Sequence, residues 1–119
     1  MIAIRGATTV LEDTREQILS ETKIMLEKII SENNINIEDI ISIIFTATKD
    51  IKSVYPAVSA REMGIVNASL ICMQEMDVTG SLQKCIRVHM EVESDKRQKD
   101  ANHVYLNGAE VLRPDLKRN

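Results

Sequence analysis

From Lys84 to Glu93 the chain alternates. Ile86, Val88, Met90 and Val92 fall on one side, and Cys85, Arg87, His89 and Glu91 fall on the other. Successive side chains of a strand point to opposite faces, so this pattern describes a strand covered on one face only. Arg87 lies in the middle of it. A strand of this kind rarely tolerates a guanidinium unless the charge is paired or used.

The remaining segments supply one substantial cover for such a strand. Thr14 is a good helix N-cap, and Gln17 completes a capping-box pattern with it. From Arg15 onward Ile18, Leu19, Met25, Leu26, Ile29 and Ile30 recur at helical spacing, with Thr22 on the same face, until Asn33-Asn34 end the run. Ile2 to Arg5 is expected to be a short strand ended by Gly6. Ile40 to Ala47 (IISIIFTA) is β-branched and nearly continuous, which suits a strand buried on both faces. Thr48 to Val54 is a polar loop. Pro56 and Gly64 bracket a short helix. Ala68 to Cys72 is a further strand, and Asp77 to Gly80 a turn, with room for one helical turn after it. Ser94 to Asn102 is charged and loop-like. His103–Leu106 and Ala109–Leu112, joined by Asn107-Gly108, have the form of a hairpin with a type I′ turn. The tail after Pro114 is polar.

This predicts a single α+β domain over residues 1–119, with a mixed β-sheet of about five strands, one long helix and one short helix. One long helix covers only one face of a sheet. Oligomerisation is the economical way to cover the other.

Composition narrows the function classes. The chain is 44% hydrophobic and 28% charged, with aromatics at only 3% and no Trp, so its core is aliphatic. A net charge of −3 and the absence of any lysine-rich tract argue against nucleic-acid binding. No apolar run approaches the roughly 20 residues of a membrane span, and no basic-then-apolar leader precedes the first strand. A cytoplasmic protein is expected. Cys72 and Cys85 do not form a CxxC pair and are expected to be reduced thiols. His89 and His103 lack the ligand spacing of a zinc site, so neither a metal nor a cofactor is expected. Against the acidic background, Arg5, Arg61, Arg87 and Arg113 each sit inside or beside an apolar segment. Taken singly they are ordinary surface arginines; taken together they suit local binding of an anion.

The segment Cys72-Met73-Gln74-Glu75-Met76-Asp77-Val78-Thr79-Gly80, followed by Cys85-Ile86-Arg87-Val88, resembles the trimeric, AroH-type class of chorismate mutases. The resemblance continues at Ile4–Val10, at Tyr55-Pro56-Ala57 with Ala60-Arg61-Glu62, at His103–Leu106 and at Val111–Leu116, in family order. It implies conversion of chorismate to prephenate in aromatic amino acid biosynthesis. It also implies a homotrimeric pseudo-α/β-barrel with active sites between subunits. Arg87 then matches the arginine at the breaking ether oxygen and a carboxylate, and Glu75 the glutamate at the ring hydroxyl. Cys72 matches a neighbour of that hydroxyl. Arg5 and Tyr105 match residues that bind the side-chain carboxylate and enolpyruvyl region. Tyr55 and Ala57 match the pocket wall, Arg61 its mouth, and Arg113 a C-terminal closing segment. Met73 and Gln74 lie in the matching block. Val58 departs from the pattern, because relatives can carry a lysine there near the ring carboxylate.

Each residue also has a plainer reading. Arg87 can be an interface ion pair with Glu75 or Glu91. Cys72 can be a small core residue, Glu75 a solvated acid, Tyr105 half-buried packing, and Arg5 a surface cation. On these readings the chain is a structural module. A third possibility is a trimer of similar shape with a different activity, as in imine-deaminase-like proteins.

Overall fold

The computed structural model describes residues 1–113. Its longest element is helix α1 (Arg15–Glu32), whose start is set by Thr14 in an extended conformation. The Thr14 hydroxyl accepts from the Gln17 backbone N–H at 3.2 Å. The reciprocal half of the expected capping box is absent. The Gln17 side-chain oxygen accepts instead from Leu11 and Glu12 N–H, at 3.0 Å each, and ties the incoming loop to the helix. At the other end buried Asn33 donates to Ile29 and Asn102 carbonyls and accepts from Asn102 N–H, which locks the helix exit to a distant loop.

The strands are β1 (Ile2–Thr9), β2 (Ile40–Ala47), β3 (Ser69–Gln74), β4 (Cys85–Val92) and β5 (Val104–Tyr105). They form one mixed sheet in the order β3-β2-β4-β1-β5. The pairs β1–β4 and β2–β4 are antiparallel, while β2–β3 and β1–β5 are parallel. The short helix α2 (Ala57–Glu62) lies in the crossover from β2 to β3, as a parallel pair requires. It ends where Met63 leads into Gly64 at φ 89°.

One face of the sheet carries the core. Ile4, Ile43, Phe45, Ile86 and Met90 pack against Ile18, Met25, Leu26 and Ile29 of α1, all fully buried. Gly6 lies on this face. A Cβ there would stand 2.8 Å from Ile29 Cδ1, 3.1 Å from Val88 Cγ2 and 3.3 Å from Met25 Sδ. Gly6 therefore does not end the first strand as expected. It lets the helix close onto a strand that continues to Thr9.

Among the described residues the opposite face is covered only near Ala7 and Cys85, where Ala109 and Leu112 pack. The alternation foreseen for β4 holds, but β2 is not buried on both faces: Ile41 is exposed and Ile44 only half-buried. A run of β-branched residues fits a strand awaiting a second layer as well as one already sandwiched. The C-terminal hairpin is also corrected. Val104–Tyr105 pairs parallel to β1, and Asn107–Leu112 coils into 3-10 turns. Asn107 does adopt positive φ (54°), but it turns the chain into the coil rather than back into a strand. Strand β3 begins one residue later than expected and runs two residues further, and no helical turn follows Gly80. The tail after Pro114 lies outside the described residues. No helix among the described residues is long and apolar enough to cross a membrane.

Candidate active site

Sheet register places Arg87 in a row across the uncovered face. Arg87 is opposite Ala7 on β1 and Thr46 on β2; Ala7 is opposite Tyr105 on β5, and Thr46 opposite Met73 on β3. Directly paired residues share a face, so Tyr105, Ala7, Arg87, Thr46 and Met73 form one line. Ala7, between the tyrosine and the arginine, is fully buried. Arg5 lies on the same face one step along β1, opposite His89. It is exposed, and its backbone N–H donates to His103 Nδ1 at 2.9 Å.

Glu75 follows the end of β3 and is anchored at its backbone, where its N–H donates to the Ala47 carbonyl at 2.8 Å. Its side chain reaches across β2. The Thr46 hydroxyl donates to Glu75 Oε2 at 2.6 Å, and the same oxygen lies 3.3 Å from Arg87 Nε. Arg87 Nε is shielded from solvent yet has no aligned hydrogen-bond acceptor among the described residues. The contact is thus a charge pair without hydrogen-bond geometry. The Arg87 side chain is 40% exposed and that of Glu75 24%, so a ligand can reach both. A pair this open adds at most about 1 kcal/mol to stability. Its main effect is to fix where the two charges point.

Cys85 stands beside Arg87 on the strand and is 2% exposed. It forms a small apolar floor with Ala7 and Ala109, against which Leu82, Tyr105 and Leu112 pack. Burial pushes the Cys85 thiol above its ordinary value of 9.0, and the neighbouring guanidinium only partly opposes this. Cys85 is therefore a protonated neighbour, not a nucleophile. The start of β4 is pinned by Asp50, whose carboxylate accepts from Lys84 N–H, and by the Thr48 hydroxyl, which accepts from Cys85 N–H at 3.0 Å.

A second group of the expected residues lies elsewhere. Tyr55, Val58, Cys72, Met73 and Gln74 line an open groove of about 760 Å³. Asp13 shapes its approach by accepting from Lys52 and Ser53 N–H, and the first of these bonds is the main cause holding its carboxyl below the ordinary 3.8. Tyr55 is 70% exposed. Ala57 is buried at the start of α2, and Arg61 is exposed on its last turn. Cys72 is opposite Phe45 and so points to the helix-covered face, away from Arg87 of its own chain. Both cysteines are free thiols, Cys72 half-buried and Cys85 buried. Arg113 is half-buried after the 3-10 turns at the end of the described chain.

The chain thus unites Arg87, Glu75, Arg5 and Tyr105 on one face, and places Tyr55, Ala57, Arg61, Cys72 and Gln74 around another edge. Met73 borders both. Sequence reasoning missed Thr46 and did not give Cys85 a place in the site wall. For Cys85 the signal was its two-residue spacing from Arg87; for Thr46 there was none, because strand register decides which β2 residue faces Arg87.

Comparison with known proteins identifies the family. Residues 1–116 match the family model described as chorismate mutase type I. The chain is 54% identical over 114 residues to chorismate mutase AroH of Bacillus subtilis, covering 95% of this chain and 90% of that protein. It is 43% identical over 115 residues to chorismate mutase AroH of Thermus thermophilus, covering 96% and 94%. A solved structure of a chorismate mutase from Clostridium thermocellum superimposes with a TM-score of 0.90 at 54% identity, covering 92% of this chain and 97% of that one. By sequence over nearly its whole length and by fold, the chain belongs to the chorismate mutase type I family.

Proposed function

We propose that the chain catalyses the rearrangement of chorismate to prephenate at a site centred on Arg87 and Glu75, completed by a neighbouring copy of itself. The observation that carries this reading is a guanidinium held beside one carboxylate on a sheet face that the described residues leave partly open. In the rearrangement an ether C–O bond breaks while a C–C bond forms, and the ether oxygen gains negative charge in between. A donor fixed in advance at that oxygen stabilises the transition state more than the ground state. Arg87 takes that role and contacts a carboxylate of the substrate. Glu75 accepts from the ring hydroxyl. Arg5 and Tyr105 hold the side-chain carboxylate and the enolpyruvyl region, which keeps the flexible substrate in its reactive shape. No step calls for a nucleophile or a general base.

The wall comes from a second protomer. The groove bearing Tyr55, Cys72 and Gln74, with Ala57 and Arg61 on α2, lies away from Arg87 in one chain, so the two halves meet only between chains. The uncovered face supports such an assembly, with Ile71 50% and Met73 48% exposed on it. Burying the exposed half of either side chain contributes roughly 1 kcal/mol. A homotrimer with three shared sites accommodates both halves.

The test is chorismate consumption with prephenate detection on the purified chain, without added metal or cofactor, beside hydrolysis of a 2-imino acid. Prephenate formation alone supports the reading. Imino-acid hydrolysis, or neither activity from an assembled protein, overturns it.

A further inference from the structure

We propose that Thr46 is a positioning residue for this reaction: its hydroxyl holds the Glu75 carboxylate in a pose that serves a ligand instead of closing on Arg87. The inference rests on the chorismate reading above and extends it to a residue outside the expected site. Three observations carry it. Thr46 lies on β2 directly opposite Arg87, between that strand and the one that delivers Glu75. Its hydroxyl donates at 2.6 Å to Oε2, the oxygen that lies 3.3 Å from Arg87 Nε. Despite that short distance Nε has no aligned acceptor among the described residues.

A glutamate beside an arginine ordinarily settles into a paired, in-plane hydrogen-bonded fork. Here Oε2 is engaged from below by a donor on a stiff, β-branched side chain. The backbone of Glu75 is tied to Ala47, the next residue of the same strand, so β2 fixes the acid at two points. Oε2 is thereby kept out of line with Nε, and Oε1 is left to accept from a ligand hydroxyl. Without the Thr46 hydroxyl, the carboxylate is expected to rotate onto Arg87. That would neutralise the cation the developing charge needs and withdraw the acceptor from the ligand.

The test compares Thr46→Val, which keeps shape but loses the donor, with Thr46→Ser, which keeps the donor, each as the assembled protein. For Thr46→Val, kcat/KM for chorismate is expected to fall on the order of 10- to 100-fold, the range of one hydrogen bond to a charged group. Thr46→Ser recovers most of that loss. In a Glu75→Gln background Thr46→Val adds little, because the two act as one unit. An unimpaired Thr46→Val, a Thr46→Ser as poor as Thr46→Val, or losses that simply multiply with Glu75→Gln would each overturn the proposal. A crystal structure of Thr46→Val gives a readout independent of turnover. The Glu75 carboxylate is expected to move into hydrogen-bond alignment with Arg87, and an unmoved carboxylate refutes the positioning role. A wild type inactive on chorismate would sink the functional reading instead, while this structural comparison still decides the role of Thr46.

Discussion

Glu75 and Arg87 meet across an intervening strand. Glu75 follows β3, Arg87 lies on β4, and β2 runs between them, yet Glu75 Oε2 approaches Arg87 Nε to 3.3 Å. The Glu75 backbone continues the parallel ladder with β2 through its N–H to the Ala47 carbonyl, and its side chain reaches across β2, past Thr46, to Arg87. Twelve residues apart in sequence, the two are joined in space by a bridge over the sheet. A fixed cation on an open face follows from that bridge.

Gly6 sets how closely the helix approaches this sheet. Gly6→Ala is expected to destabilise the fold by about 1–3 kcal/mol, the usual cost of forcing atoms into a filled core. The nearest neighbour is the flexible tip of Ile29, but Val88 and Met25 crowd the same point. Thermal unfolding is expected to shift down by several degrees, and Gly6→Val more. A variant with unchanged midpoint would mean that α1 is not seated as described.

Much of this was legible in the residues themselves. The long helix, its N-cap, the bounds of β2 and the two faces of β4 follow from local periodicity and capping, which act over a few neighbouring residues. What was illegible depends on contacts between distant segments. Whether Gly6 breaks a strand or admits a helix depends on Ile29 and Met25. Whether Asn107-Gly108 turns a hairpin or starts a 3-10 coil depends on Thr8 and Thr9, whose oxygens accept from Asn107 Nδ2 and Gly108 N–H. Thr46 was invisible for the same reason, since its role exists only through the register of β2 against β4. Arg87 and Glu75 stood out because charge in an apolar context is a local anomaly.

The proposal of a site shared between copies has a direct consequence for mixtures. Arg87→Ala and Arg61→Ala disable different halves of each site, so each alone is expected to be poorly active. Co-refolding the two variants would restore part of the activity, because some interfaces then carry both native halves. Ile71→Lys, which places a charge on the uncovered face, is expected to dissociate the assembly while leaving the fold intact by circular dichroism. No recovery on mixing would place each site within a single chain.

Val58 gives the groove an apolar side chain, and the cations that line it are Arg15, Lys49 and Lys52. Val58→Lys is expected to lower KM for chorismate roughly fivefold, the effect of about 1 kcal/mol from one partly exposed ion pair, with kcat little changed. Steady-state kinetics at two salt concentrations checks this, since the gain should shrink as salt rises. An unchanged KM would mean that the ring carboxylate is already neutralised or solvated.

Cys85 ties stability to alkaline pH. Burial raises its pKa in the folded chain above the ordinary 9.0. As pH rises past 9.0 the unfolded thiol loses its proton while the folded one keeps it, so the unfolded state binds fewer protons and stability falls. The loss begins near 9.0 and ends once the folded thiol also ionises. Cys85→Ser is expected to flatten this part of the stability curve. At pH 8 a thiol reagent is expected to modify half-buried Cys72 in the native protein and to reach Cys85 only after unfolding; equal labelling would contradict the burial of Cys85.

The most direct measurement is turnover of chorismate by wild type and Arg87→Ala, with the size of both assemblies determined in parallel. A fall on the order of 10²–10³ in kcat with the assembly intact is the expected result for removing a fixed donor aimed at developing charge. Retained turnover, or a loss that appears only because the assembly comes apart, would contradict an electrostatic role for Arg87.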